Sequence, residues 1–107
     1  MVEEKVEKII HRFTDALAKR GIRIDQVILY GSYASGNMKP YSDIDLAIIS
    51  PDFGNDKFEE SKLLLQAAWR IDPRLQPVPI SSESFKKKDW VPLIHQIKSS
   101  GIEVKAA

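Results

Sequence analysis

Two aspartates separated by a single residue are the side chains of this sequence best suited to chemistry. Asp43 and Asp45 open an apolar run over residues 43–50 that has the pattern of a buried β-strand. Side chains at positions i and i+2 of a strand point to the same side, so these carboxylates should be neighbours, with Cα atoms roughly 6–7 Å apart. Ile44, between them, should point the other way, into a core.

Neighbouring carboxylates repel each other, and a divalent cation is the usual reason for a protein to place them together. Hard oxygen ligands suit Mg²⁺ or Mn²⁺. Mg²⁺ is rarely enclosed by protein ligands alone and is usually held by one or two carboxylates together with substrate phosphates. Asp43 and Asp45 therefore predict a metal site that is shared with a phosphorylated substrate.

A Gly-Ser turn earlier in the chain is suited to hold those phosphates. Ten residues lie between Ser32 and Asp43, and a second apolar strand leads into Gly31. Gly31 has no Cβ and lets the backbone approach a ligand closely. The amides from Ser32 through Ala34 should begin a helical turn whose free N–H groups favour an anion. Strand, phosphate-binding turn and carboxylate pair should thus form one compact unit.

The pattern G-S-x10-D-x-D, formed by Gly31, Ser32, Asp43 and Asp45, resembles that of the DNA polymerase β-like nucleotidyltransferase superfamily. In length and element order the whole chain is similar to the minimal nucleotidyltransferase (MNT) domain, which pairs with HEPN-domain proteins in toxin–antitoxin modules. A lone DxD is most often a solvated strand edge or the start of a turn. The joint pattern between two strands favours a nucleotidyltransferase.

The resemblance implies roles for two residues of the intervening loop. Lys39 lies where this family commonly carries a basic residue, and it could reach a phosphate as a point charge; the alternative is a solvated lysine. Ser42 precedes the aspartates, should order the turn, and is counted with the nucleotide-binding residues. Tyr33 and Tyr41 could stack near a base or simply cover the loop, and we favour the covering role.

One position departs from the family pattern. Members usually carry a third acidic residue on a later strand, beside the DxD pair, where it helps to hold the metal and can accept the proton of the attacking hydroxyl. The best-matching residue here is Gln76, which can offer a metal its carbonyl oxygen but cannot act as a base. Asp72 and Glu83 are close in sequence and could substitute, although neither has the expected register.

Composition sets further bounds on the protein. A length of 107 residues leaves room for a single domain, residues 1–107, with one core. The net charge of +1 gives no electrostatic argument for a nucleic-acid or membrane surface. The chain has no cysteine, which excludes disulfides and thiolate sites. It has no apolar run of membrane-spanning length and no signal-peptide pattern, so a soluble cytoplasmic protein is expected.

Hydrophobic periodicity and breakers predict the elements that position these residues. Helices are expected over residues 1–20, from Asp56 to about residue 70 with Asp56 and Glu59 as a capping box, from residues 81–84 onward, and over residues 90–100. Strands are expected over residues 26–30, 43–50, 74–80 and 102–104, the third either at an edge or irregular because it contains two prolines. The predicted fold class is α/β (α+β): a small mixed sheet of about four strands with helices packed mainly on one face.

We therefore expect a Mg²⁺-dependent (or Mn²⁺-dependent) nucleotidyltransferase that transfers a nucleoside monophosphate, AMP from ATP, to a hydroxyl on a HEPN-type partner and so acts as an antitoxin. The alternative is a weakly active or inactive binding protein that neutralises its partner by contact, because Gln76 replaces the third acid. Small-molecule and tRNA acceptors are weaker alternatives. The broad apolar stripe of the second long helix leaves a homodimer or a hetero-oligomer open.

Overall fold

The computed structural model describes residues 3–39 and 41–105. Along this part of the chain, five helices and four strands alternate: α1 (Glu4–Lys19), β1 (Gln26–Tyr30), α2 (Ser32–Ser35), β2 (Ile44–Ser50), α3 (Lys57–Ile71), β3 (Leu75–Ser81), α4 (Ser82–Lys87), α5 (Pro92–Ser100) and β4 (Ile102–Glu103). Residues 1 and 2, predicted to begin the first helix, lie outside the described residues. None of the helices described is both long and apolar enough to cross a membrane.

The four strands form one mixed sheet in the order β3-β2-β1-β4. β1 runs antiparallel to both β2 and β4, whereas β2 and β3 are parallel and joined through α3. A parallel pair needs such a crossover, while an antiparallel pair can be joined by a short connection. The predicted four-strand mixed sheet is confirmed, and so is the edge position of β3, whose Pro77 and Pro79 cannot donate ladder hydrogen bonds.

Helices cover both faces of this sheet, the two long ones on the same face. The first face carries α1 and α3 over a core cluster that includes Phe13, Leu29, Leu46, Ile48 and Leu64. The second face carries α5 over a cluster that includes Ile28, Ala47, Ile49, Ile94 and Ile97. The expectation of helices mainly on one face holds for the long helices, and the short α5 completes the second core because β1 and β2 are apolar on both sides.

The N-terminus of α3 is held differently from the predicted capping box. Asp56 accepts a hydrogen bond from the backbone N–H of Glu59 at 3.2 Å, as expected for an N-cap. The returning carboxylate is that of Glu60, which accepts from the N–H groups of Gly54, Asn55 and Asp56. The side chain of Glu59 is thereby left at the surface.

Candidate active site

The Gly-Ser turn and the two aspartates lie at the same end of the sheet, where β1 ends and β2 begins. β1 ends at Tyr30 and β2 begins at Ile44, and because these strands are antiparallel, the end of one lies beside the start of the other. Asp43 is the residue immediately before β2, which begins one residue later than the strand predicted over residues 43–50. In the register of the sheet, Asp45 lies between Tyr30 on β1 and Gln76 on β3.

Gly31 brings the turn into contact with the carboxylate of Asp45. Its φ of 75° and ψ of −145° lie in a region that favours glycine. A Cβ added at Gly31 would collide with Oδ2 of Asp45 and would lie 3.3 Å from its Cγ. The turn and the carboxylate of Asp45 are therefore adjacent, as the spacing of the motif predicts.

The free amides of the turn are fewer than the sequence suggests. The N–H groups of Ala34 and Ser35 both donate to the carbonyl of Gly31 at 3.1 Å, so Ala34 is not available to a ligand. The expectation of free N–H groups from Ser32 through Ala34 is corrected on this point. In the described part of the chain, the N–H groups of Ser32 and Tyr33 have no hydrogen-bond partner, which is normal for the first residues of a helix.

The charges of Asp43 and Asp45 lie close enough to influence each other. Asp43 is exposed and Asp45 is half-buried. Burial raises the pKa of Asp45 above its ordinary value, and the nearby charge of Asp43 raises it further. No lysine or arginine in the described ranges forms an ion pair with either carboxylate. Two adjacent oxygen donors with uncompensated charge are a donor set that fits a hard divalent cation.

Gln76 occupies the position beside Asp45 that the family pattern predicts for a third acid. β2 and β3 place Asp45 and Gln76 directly opposite each other, and the Gln76 side chain is exposed. Among the residues that the structure describes, no group of three or more His, Cys, Asp or Glu side chains could hold a metal. The carboxylate donors at this edge are therefore Asp43 and Asp45, with the Gln76 amide as a neutral neighbour.

Neither of the two acids considered as substitutes for a third carboxylate is placed to serve as a free ligand beside Asp45. Asp72 accepts hydrogen bonds from Nε and Nη2 of Arg74 at 3.2 and 3.0 Å, and these hold its pKa below the ordinary value. Glu83 pairs with Lys87 at 3.7 Å in α4, which follows the opposite end of β3. The expectation that either acid could substitute is wrong, because one is committed to an arginine and the other lies at the far edge of the sheet.

The Asp72→Asn variant is expected to lose stability but to retain nucleotidyl transfer. Removing the charged partner of Arg74 should lower the free energy of unfolding by about 1 kcal/mol in urea at pH 7. Because the pKa of Asp72 is lowered in the folded protein, its contribution is present above the unfolded pKa of about 3.9 and is lost at lower pH. The stability difference from wild type should therefore shrink below about pH 4. Loss of transfer in a folded Asp72→Asn protein would contradict this assignment.

The loop before the aspartates is ordered by Ser42. Its Oγ accepts from the N–H of Lys39 at 2.8 Å, and its own N–H donates to the Lys39 carbonyl at 3.0 Å. This confirms that Ser42 orders the turn, while contact of Lys39 or Ser42 with a nucleotide stays a prediction. Tyr33 packs against the first core cluster with its hydroxyl 3.5 Å from Nη1 of Arg74, which agrees with a covering role. Tyr41 is 78% exposed.

Tyr30 is a site residue that the sequence reasoning treated only as part of a strand. It lies opposite Asp45, belongs to the second core cluster, and has a pKa raised by burial and by the charge of Asp45. Its place directly before Gly31, on the same face of the sheet as Asp45, was the available signal. A groove of about 500 Å³ between β3, α4 and α5 includes none of these residues and lies at the opposite edge.

The chain matches a known domain family over most of its length. The family model described as "Nucleotidyltransferase domain" covers residues 10–103. A relative from Methanocaldococcus jannaschii, "Putative protein adenylyltransferase MJ0604", is 39% identical over 87 residues, which represent 78% of this chain and 83% of the relative.

Two solved structures share the fold. A structure described as "a putative nucleotidyltransferase from Sulfolobus solfataricus" has a TM-score of 0.64 at 17% identity, over 92% of this chain and 78% of that one. The structure of a "toxin-antitoxin with AMP-PNP" has a TM-score of 0.59 at 23% identity, over 94% of this chain and 73% of that one. At these identities the likeness shows a common architecture for the sheet and its helices.

Proposed function

Because the chain belongs to the nucleotidyltransferase domain family, we propose that it transfers AMP from ATP to a hydroxyl of a HEPN-type partner protein and acts as the antitoxin of the pair. The family expected from Gly31, Ser32, Asp43 and Asp45 is confirmed by the match over residues 10–103. The nucleotide, the acceptor, the metal and the partner are our proposal, and they rest on the arrangement of the site and on the names of the relatives.

The observation that carries the proposal is the contact between Gly31 and the Asp45 carboxylate. At this contact the carboxylate of Asp45 lies against Gly31, directly before the N–H groups of Ser32 and Tyr33. Among the described residues, these two N–H groups have no hydrogen-bond partner, and neither Asp43 nor Asp45 forms an ion pair. Amides at a helix start attract phosphate, and paired carboxylates attract Mg²⁺ or Mn²⁺. A nucleoside triphosphate with its metal presents both of these partners within one ligand.

Each residue of the site has a distinct task in this proposal. The turn at Gly31 and Ser32 binds the phosphates through its backbone, and Lys39 adds a positive charge to the phosphate region. Asp43 and Asp45 hold Mg²⁺ or Mn²⁺, which when bound supplies charge neutralisation and in-line orientation. Ser42 keeps the loop that carries Lys39 in place.

The reaction is a substitution at the α-phosphorus of ATP. The acceptor hydroxyl oxygen forms a bond to the α-phosphorus, the bond from that phosphorus to the bridging oxygen breaks, and pyrophosphate leaves with the bonding electrons. The hydroxyl proton passes to water, because the amide of Gln76 cannot accept it. The products are the AMP-modified partner, pyrophosphate and a proton.

The experiment that tests this function combines the protein with ATP, Mg²⁺ and the protein encoded next to it in the genome. We expect mass spectrometry to find AMP added to a hydroxyl of that neighbour, and to find none with Asp43→Asn or Asp45→Asn. Addition of AMP that persists in both variants, or no addition to any partner hydroxyl, would contradict the proposal.

A second candidate function is neutralisation of the partner by contact alone. It is favoured by Gln76, which stands opposite Asp45 at the position of the third acid. Two carboxylates bind a divalent ion less strongly than three, and a neutral amide provides no base. A tight complex that protects against the partner's toxicity without any AMP adduct would favour this function over transfer.

The Gln76→Glu variant separates these two functions and is expected to gain metal affinity. Neighbouring strands lie about 4.8 Å apart, so a carboxylate at position 76 would stand next to Asp45. One added charge at this range should tighten Mn²⁺ binding by at least about tenfold in isothermal titration calorimetry. Transfer should rise as well, if the proposed activity is correct.

Gln76→Asn is the matched control, since it retains a neutral amide and should leave Mn²⁺ affinity within about threefold of wild type. Equal Mn²⁺ affinity for wild type and Gln76→Glu would show that position 76 does not face the metal.

A further inference from the structure

A row of large apolar side chains stands on the solvent side of α3. Phe58 and Trp69 are each 73% exposed, and Leu65 is 46% exposed. We call these three residues the outer stripe of α3. Scattered single apolar residues are ordinary on protein surfaces, whereas a contiguous row on one helix is typical of an interaction surface.

The three side chains of the outer stripe share one line along the helix. At about 100° per residue, Phe58, Leu65 and Trp69 fall within about 40° of one another, and they span roughly 17 Å along the axis. Leu64 and Ala67, which are buried in the first core cluster, lie on the other side of α3. The outer stripe is therefore not part of the domain core.

Two opposite charges flank the outer stripe on the same side. Glu59 and Arg70 lie about 20° apart around α3, one in its first turn and one in its last. Neither forms an ion pair with any side chain in the described ranges. Glu59 is free because Glu60 supplies the returning carboxylate at the start of the helix.

We propose that the outer stripe is the interface of a symmetric dimer, in which α3 packs antiparallel against α3 of a second copy of this chain. A two-fold axis exchanges the ends of the helices, so Phe58 meets Trp69 of the second copy. The same axis brings Glu59 to Arg70 of the second copy, and this ion pair forms once at each end.

The spacing of these residues is what selects a second copy as the occupant. Phe58 and Trp69 have the same separation in sequence as Glu59 and Arg70, and the midpoints of both pairs lie beside Leu64. One two-fold axis through this point therefore satisfies the aromatic pair and the ionic pair together. Lys62 lies within the seam, where its stem can cover apolar surface while its ammonium group turns out to water.

The proposed dimer leaves the candidate active site open. The outer stripe points away from the sheet on the face covered by α1 and α3, whereas Asp45 shares its face with Ala47 and the second core cluster. The proposal does not depend on nucleotide chemistry, and a failure of either one would leave the other standing.

Charge reversal tests the dimer, with association measured by sedimentation equilibrium. Glu59→Arg and Arg70→Glu should each raise the dimer Kd at least about tenfold, because each places like charges together at both ends. The double variant restores opposite charges and should return to within about threefold of wild type. An equimolar mixture of the two single variants should form a heterodimer, since every cross-pair is then attractive. Lys57→Glu, on the same helix but off the outer stripe, is the matched control and should not weaken association.

Removal of an aromatic side chain gives an independent test. Trp69→Ala should raise the dimer Kd at least about thirtyfold. Trp90→Ala, which removes an aromatic that is 75% exposed outside α3, should not change it. A wild-type protein that stays monomeric, or a dimer indifferent to both charge reversals, would overturn the proposal. The proposal would also be overturned if the protein were monomeric and Trp69 were needed only to bind the protein encoded next to it.

Discussion

The Asp45→Asn variant is expected to lose AMP transfer by about a thousandfold or more, with no loss of stability. The activity falls because one of the two carboxylates proposed to hold the metal becomes a neutral amide, and charge stabilisation of this kind dominates phosphoryl transfer. Quantitative mass spectrometry of the AMP-modified partner gives the rate. Asp43→Asn should lose transfer to a similar extent.

The Asp45→Asn variant is also expected to be at least as stable as wild type, which a purely structural role of Asp45 would not predict. Burial and the charge of Asp43 raise the pKa of Asp45 in the folded protein, so its ionised form opposes folding at neutral pH. Replacing the carboxylate with an amide of the same shape should leave the free energy of unfolding in urea equal to or higher than that of wild type. Such an exchange of stability against activity is common at functional sites.

Glu83→Gln serves as the control for this pair of variants. It removes an acid that the sequence offered as a substitute ligand but that the structure places in α4, in an ion pair with Lys87. Transfer by Glu83→Gln should stay within about twofold of wild type. Transfer by Asp45→Asn above about a tenth of the wild-type rate would remove Asp45 from the metal site.

Local patterns explain why much of the site could be predicted from the sequence. The alternation of side chains along a strand places Asp43 and Asp45 on one side and Ile44 on the other, and Ile44 is indeed fully buried. The spacing from Gly31 to Asp45 fits two antiparallel strands joined by a loop. Both features depend on residues that are near each other in the chain.

The features that could not be predicted from the sequence concern side chains with several possible hydrogen-bond or ion-pair partners. Which partner is used depends on the three-dimensional structure. Both Glu59 and Glu60 could have completed the cap of α3, and only the three-dimensional course of residues 54–56 selects Glu60. Likewise, Asp72 seemed available as a ligand until the structure placed Arg74 against it. Hydrophobic periodicity predicts that a side chain is exposed, but it does not predict which residues that side chain contacts.

The packing on the second face of the sheet also depends on strand pairing between residues that are far apart in the sequence. The apolar positions of α5 were visible in the sequence, but the side on which α5 packs follows from the antiparallel pairing of β4 with β1. Ile94 and Ile97 then close the cluster that contains Tyr30. Tyr30, which lies opposite Asp45 through the pairing of β1 with β2, is thereby covered from the second face.

The Gly31→Ala variant is expected to lose both transfer and stability, because two separate costs coincide at this residue. Its φ of 75° strains any residue with a side chain, and the added methyl group would collide with Oδ2 of Asp45. We expect a loss of about 1–3 kcal/mol in the free energy of unfolding. Transfer should fall by at least about a hundredfold, because the proposed phosphate-binding turn and the carboxylate are pushed apart.

Gly36→Ala separates the two costs. Gly36 ends the same turn with a similar φ of 81°, but a Cβ there would meet nothing within 4 Å. Its ψ of 8° is left-handed helical, whereas that of Gly31 is −145°. This control therefore shows the cost of a positive φ without a collision, about 1 kcal/mol, with much smaller loss of transfer. If Gly31→Ala and Gly36→Ala behaved alike, the contact with Asp45 would have no part in the effect.

A double-mutant cycle between positions 31 and 45 measures that contact directly. In an Asp45→Ala background the colliding carboxylate is gone, so Gly31→Ala should cost only the backbone strain of its own φ of 75° and ψ of −145°. The difference between the costs of Gly31→Ala in the two backgrounds is the coupling energy, which we expect to be about 1 kcal/mol or more. Independent, additive effects would mean that the turn and the carboxylate do not touch. In that case a single metal–triphosphate could not contact both the turn and Asp45, and the proposed nucleotide site would be wrong.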